Sequence, residues 1–184
     1  MSWILTATGK RIDLLHPDPA QICLEDIAHS LSRLCRFNGH TGPHYSVAEH
    51  SQRVADAVPE QYQLEALMHD ATEAYVGDVT QPLKQLLPRY HDIEQGIWLA
   101  ICERFKLNPV LPGCVRHADM VLLATERRDL MPAHPDEWFC LNGVDPLPEK
   151  IKPVSAPHAK YLFFVTAQRL LAARAEPRTK AGAA

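Results

Sequence analysis

Apolar residues recur at helical spacing along most of the chain and almost never alternate. Ile27, Leu31 and Leu34 predict a helix from about Leu24 to Arg36. Val47, Val54 and Val58 predict another, opened at Ser46 by a capping-box pattern with Glu49 and ended at Pro59. Leu64, Leu67, Met68, Ala71 and Tyr75 form a single stripe, which predicts a continuous helix from about Glu60 to Tyr75. Three more helices are expected over about Tyr90–Phe105, Cys114–Met131 and Pro157–Ala173. The opening "WILTATGKRIDLL" reads as two short extended segments around Thr8-Gly9. "FNGHTGPHY", "KLNPVLPG" and the proline-rich "PAHPDEWFCLNGVDPLPEKIKPVSAP" are connections, and "GDVTQPLKQLLPRY" is a loop with short helical turns. No internal repeat is visible. The pattern predicts one all-α domain over residues 1–173, a bundle of about six helices with at most a small N-terminal β-hairpin. A disordered tail is expected over 174–184.

Composition narrows the class. The 184 residues are 46% hydrophobic and 22% charged, the balance of a globular domain with a sizeable core. A formal net charge of -3, without a basic run before the last few residues, disfavours stable nucleic-acid binding. It does not disfavour a small anionic substrate, since a metal ion can supply local positive charge. The five cysteines are odd in number and lack a C-x-x-C pair, which argues against a disulfide framework or a cysteine zinc site. No secretory leader and no membrane-spanning stretch of ~18 apolar residues is visible, so a cytoplasmic location is expected. Ten histidines direct attention to metals or acid–base chemistry.

The candidate chemistry lies where polar residues interrupt or oppose the apolar stripes. His50 sits on the inward stripe of its helix, either as a core histidine bonded to backbone or as a ligand. Asp119 lies inside the stripe of Val115, Ala118 and Leu122. A carboxylate there needs a cation, which could be an arginine such as Arg36 or Arg128, or a metal. His69, Asp70 and Glu73 lie opposite their helix's apolar stripe, as a solvated face or a site. Taken together, two imidazoles and two carboxylates from three helices form a mixed nitrogen–oxygen set. Such a set suits one divalent transition metal (Co, Mn, Zn, Fe or Ni) better than Mg or Ca.

The same residues carry a resemblance. A first His, a His-Asp doublet and a distant Asp, here His50, His69-Asp70 and Asp119, resemble the HD-domain metal-dependent phosphohydrolases. The stretches "LCRFNGHTGPHYSVAEHS", "EALMHDATEAYVGDVTQPLKQLLP" and "ADMVLLATERRDL" are similar to the small YfdR/YfbR-type 5′-deoxynucleotidases, and to the compact phage deoxyadenosine-triphosphate triphosphohydrolases. The likeness runs over about residues 2–172.

The resemblance implies an HD-domain helical fold with His50, His69, Asp70 and Asp119 as metal ligands. It implies Glu73 as the catalytic carboxylate, Arg36 as the phosphate arginine, Asp78 near the 3′-hydroxyl and Lys84 near the phosphates. The residue after the arginine is tryptophan in the monophosphatases. Here it is Phe37, which can stack on a sugar but cannot donate a hydrogen bond. The expected activity is a 5′-deoxynucleotidase releasing phosphate from deoxynucleoside monophosphates. The alternatives are a dNTP triphosphohydrolase, for dATP for example, and a non-catalytic nucleotide-binding module. Glu73 is followed by Ala74 rather than a second acid, unlike the stringent-response hydrolases, and no G-Y-P element is present. The expected partner is a small-molecule deoxynucleotide, with no membrane contact and, by analogy, a homodimer.

Overall fold

The computed structural model describes residues 1–175. Strands β1 (Trp3–Leu5) and β2 (Arg11–Asp13) pair antiparallel with Ile4 opposite Ile12, closed by a turn in which Gly9 takes φ +80°. The hairpin lays Ile12, which is fully buried, against the helices. All else is helical or irregular: α1 (Leu24–Leu31), α2 (Val47–Asp56), α3 (Gln63–Met68), α4 (Glu73–Val76), α5 (Gln81–Lys84), α6 (Pro88–Phe105), α7 (Gly113–Leu130) and α8 (Ala156–Ala175). The predicted all-α bundle with a small hairpin is therefore the observed architecture.

α2 is the central rod. It packs against α1, α3, α7 and α8, and it buries Val47, Val54 and Ala55 together with His50. α8 lies across α1, α2 and α3 and contributes Ala159, Phe163, Ala167 and Leu170 to the core. Pro88 opens α6 at a position that needs no N–H donor, and Lys106 in the left-handed region closes it. No helix among the described residues is long and apolar enough to cross a membrane.

Three expectations are corrected. The first helix stops at Leu31 rather than near Arg36, because the following backbone pairs elsewhere. Leu34 O accepts from Val47 N (3.1 Å), and Arg36 N donates to Tyr45 O (3.0 Å). The expected continuous helix over 60–75 is two pieces, α3 and α4. Between them the amides of Ala71, Glu73, Ala74 and Tyr75 reach back three residues instead of four, a tightened 3₁₀-like turn at His69–Thr72. The capping box is only half formed. Ser46 Oγ accepts from Glu49 N, but the Glu49 carboxylate turns to Arg53 and to Val154 N. The last helix runs to Ala175, slightly past the expected end. The rest of the tail expectation, residues 176–184, lies outside the described residues.

Candidate metal centre

Three elements bring the predicted ligands to one point. α2 carries His50, the tightened turn after α3 carries His69 and Asp70, and the middle of α7 carries Asp119. One donor atom from each of His50, His69 and Asp119 lies within 4.8 Å of the other two. His50 Nε2 is 3.1 Å from Asp119 Oδ1 and 3.6 Å from Asp70 Oδ2. His69 Nε2 is 3.3 Å from Asp70 Oδ2 and 3.9 Å from Asp119 Oδ1. All four ligand candidates thus share one small space. Neither alternative partner forms an ion pair with Asp119 among the described residues: Arg36 pairs with Glu126 and Arg128 with Asp129.

The far side of each imidazole explains why this space wants a cation. His50 Nδ1 meets Glu126 Oε1 at 2.6 Å, and His69 Nδ1 donates to Ala66 O at 2.7 Å. Both acceptors hold a ring proton on Nδ1, which leaves Nε2 to carry either a second proton or a metal ion. Both Nε2 atoms are buried and form no hydrogen bond among the described residues. Lone pairs turned towards carboxylate oxygens repel them unless positive charge lies between. The charges around these groups make the same demand. Burial and the Arg36 charge oppose protonation of His50, but Glu126 and Asp119 outweigh them and carry its pKa up to about 9. Burial would raise the Asp119 pKa, but His50, His69 and Arg36 hold it well below the ordinary carboxylate range. A divalent cation among these four side chains would satisfy both, so the residues present fit such an ion.

The remaining predicted residues ring this centre. Glu73 is buried rather than on a solvated face. Its Oε2 has no hydrogen-bond partner, and Oε1 is 3.7 Å from Lys84 Nζ. Burial, with the Asp70 and Asp78 carboxylates nearby, raises its pKa well above the usual range. Burial raises the Asp78 pKa as well, against the pull of Arg36. Lys84 is half-buried and held by Glu94 at 2.7 Å. Arg36 reaches Glu126 through Nε (3.1 Å) and approaches Asp70 at 3.6 Å. Phe37 and Asn38 both take positive φ, 54° and 51°, and Gly39 continues the left-handed turn at 77°. This strained turn lays the Phe37 ring 5.4 Å from the Arg36 guanidinium carbon.

Sequence reasoning missed two contributors. Glu126 lies seven residues after Asp119, on the same face of α7, and is fully buried. Extending the Val115–Leu122 stripe by one more turn would have found it. Trp138 comes from the proline-rich connection and stands 6.1 Å from the Phe37 ring. No periodic signal marks it. His44 and His117, near the ligands in sequence, are exposed.

The chain is 44% identical over 167 residues to a protein of Escherichia coli (strain K12) described as uncharacterized protein YfdR, covering 89% of this chain and 92% of that one. It is 39% identical over 127 residues to an uncharacterized protein of Rhodobacter capsulatus, covering 64% and 65%. No family model matches.

Proposed function

The chain belongs to the YfdR family, and from that premise we propose that it is an HD-type metal-dependent phosphohydrolase acting on 2′-deoxynucleotides. The reaction proposed is that of a 5′-deoxynucleotidase, which releases phosphate from deoxynucleoside monophosphates. One observation carries the reading. Two buried imidazole nitrogens, each aimed by the partner of its ring's Nδ1, face two carboxylates across 3.1–3.9 Å. Imidazoles and carboxylates grouped in this way need positive charge between them, which a second ring proton supplies when no ion is bound and a divalent cation would supply in its place.

His50, His69, Asp70 and Asp119 would hold one divalent transition metal, for which the mixed nitrogen–oxygen set suits Mn, Co, Fe, Ni or Zn better than Mg. When bound, that ion supplies Lewis acidity, screening phosphate oxygens and lowering the pKa of water towards ~7. Glu73 has an unpartnered carboxyl oxygen one turn beyond the doublet and serves to orient the attacking water and take or give its proton. Arg36 is anchored through Nε, which leaves its terminal N–H groups for phosphate oxygens. Lys84 adds a second positive charge on the Glu73 side. Phe37 offers a flat face to the sugar, and Asp78 an acceptor for its 3′-hydroxyl.

The test is a product-resolved screen of deoxy- and ribonucleotides at each phosphorylation level with Mn²⁺ or Co²⁺. Phosphate release from deoxynucleoside monophosphates is expected, with slower turnover of the ribonucleotides. Release of intact triphosphate from dATP would assign the triphosphohydrolase reaction instead. Binding without turnover on any nucleotide would overturn the enzyme and leave a nucleotide-binding module.

A further inference from the structure

α6 and the connection to α7 enclose a cleft of about 350 Å³ that begins at the candidate metal centre. His69 and Glu94 line the end next to that centre. Gln95 and Trp98 of α6 line one side, and Val110 and Leu111 of the connection line the other. Glu94 also binds Lys84 at 2.7 Å, and Lys84 stands 3.7 Å from Glu73. His69 is thus shared between the cleft and the candidate metal centre, and Glu94 links the cleft's lining to Lys84.

Its walls differ in chemistry from that centre. Trp98 spends its indole N–H on Pro109 O at 2.9 Å, which pins the connection to α6 and leaves only apolar surface facing the cleft. Val110 is 70% exposed, a large apolar side chain with nothing over it. Gln95 is exposed on the rim, and its amide can both donate and accept. A chain of further phosphates would meet the Glu94 carboxylate here. Arg116, also on the rim, is turned away to Leu111 O at 2.8 Å. Thr72 and His91 line it too, so a flat heterocycle would meet the apolar Val110 and Leu111 on one face and polar side chains on the other and at its edge. The volume lies in the range of small-ligand sites, roughly 300–1,000 Å³.

We propose that this cleft is the subsite for the base of the nucleotide, with Val110 and Leu111 packing on the ring and Gln95 bonding its edge. The inference rests on the phosphohydrolase reading above. It makes base recognition the work of α6 and the α6–α7 connection, not of the residues around the cation.

Two probes that differ only in the base decide it: a deoxynucleoside 5′-monophosphate and 2-deoxyribose 5-phosphate. Each is measured with Mn²⁺-loaded wild type, Val110→Trp and Gln95→Ala, by kcat/KM, and by Kd in a Glu73→Gln background. Val110 and Gln95 are exposed, so both variants are expected to fold. The wild type should prefer the nucleotide over the sugar phosphate by about 10-fold or more, and Val110→Trp should remove most of that preference in both readouts. Gln95→Ala should remove part of it. A preference that survives intact in Val110→Trp overturns the cleft assignment, as does a wild type that binds both probes equally. If neither probe is hydrolysed, the hydrolase reading fails, and the Kd ratio still decides the cleft.

Discussion

Glu126 holds the candidate cation ligand His50 and the candidate phosphate arginine Arg36 with its two oxygens, Oε1 at 2.6 Å from His50 Nδ1 and Oε2 at 3.1 Å from Arg36 Nε. A single buried carboxylate thus orients groups from two elements towards one space. Replacing it by glutamine keeps the volume but turns an N–H₂ donor against one of two donors. We expect Glu126→Gln to weaken cation binding by about 10–100-fold, the usual cost of losing a carboxylate behind a ligating histidine. Calorimetric titration with Mn²⁺, or the visible absorption of a Co²⁺ titration, measures this. A Kd within about twofold of wild type would remove Glu126 from the positioning role.

Occupation of the four-residue centre should stabilise the fold, because its ligands come from α2, the turn after α3, and α7. A cation present at about 100 times its Kd adds about 2.7 kcal/mol, roughly 5–10 °C in Tm for a chain of this size. Chelation should reverse the gain in the wild type. His69→Ala and Asp119→Ala should show no gain on adding the ion. A cation-induced shift in thermal melts that persists in Asp119→Ala would place the ion elsewhere.

The four clustered side chains were only partly legible in the sequence: two break a local rule, and the doublet stood out through the resemblance. His50 and Asp119 sit on inward stripes, and the His69-Asp70 doublet opposes one. What the sequence did not disclose is the break between α3 and α4. The apolar stripe from Leu64 to Tyr75 is unbroken, and only the three-residue backbone bonds of the His69–Thr72 turn interrupt it. Periodicity records which side chains face the core, not which carbonyl each amide chooses, so a tightened turn leaves the stripe intact. The early end of α1 escaped for a similar reason. Its last turn is lost to long-range pairing with Tyr45 and Val47, a tertiary effect that local spacing does not encode. Trp138 reached the site through an irregular, proline-rich segment that carries no period at all.

Glu73 should separate binding from turnover. It is buried, its Oε2 has no partner, and it is not one of the four side chains around the cation space. Glu73→Gln preserves shape and removes a proton acceptor. The expected result is a loss of about 10²–10⁴-fold in kcat with cation affinity near that of the wild type. Equal loss of both would show that Glu73 acts as a ligand rather than in proton transfer.

Far from the centre, Asp129 ties the end of α7 to the proline-rich connection, and its charge makes that tie dependent on pH. Its two oxygens accept from Arg128 Nε at 2.7 Å and Nη2 at 2.8 Å, and one also accepts from Ile151 N at 2.9 Å. The Arg128 hydrogen bonds, against a smaller opposing effect of burial, hold the Asp129 pKa below its usual 3.8. A carboxyl whose pKa is lower when folded than when unfolded stabilises the fold above the unfolded value and loses that contribution as pH falls through the folded one. Asp129→Asn should therefore cost about 1–2 kcal/mol at neutral pH, a magnitude typical of hydrogen bonds to a charged group in a partly solvated setting. The gap between variant and wild type should narrow progressively below about pH 4 as the wild-type carboxylate takes up its proton. Urea denaturation of both proteins across that range measures it. A gap that stays constant down to about pH 2.5 would assign the cost to altered packing rather than to the carboxylate charge.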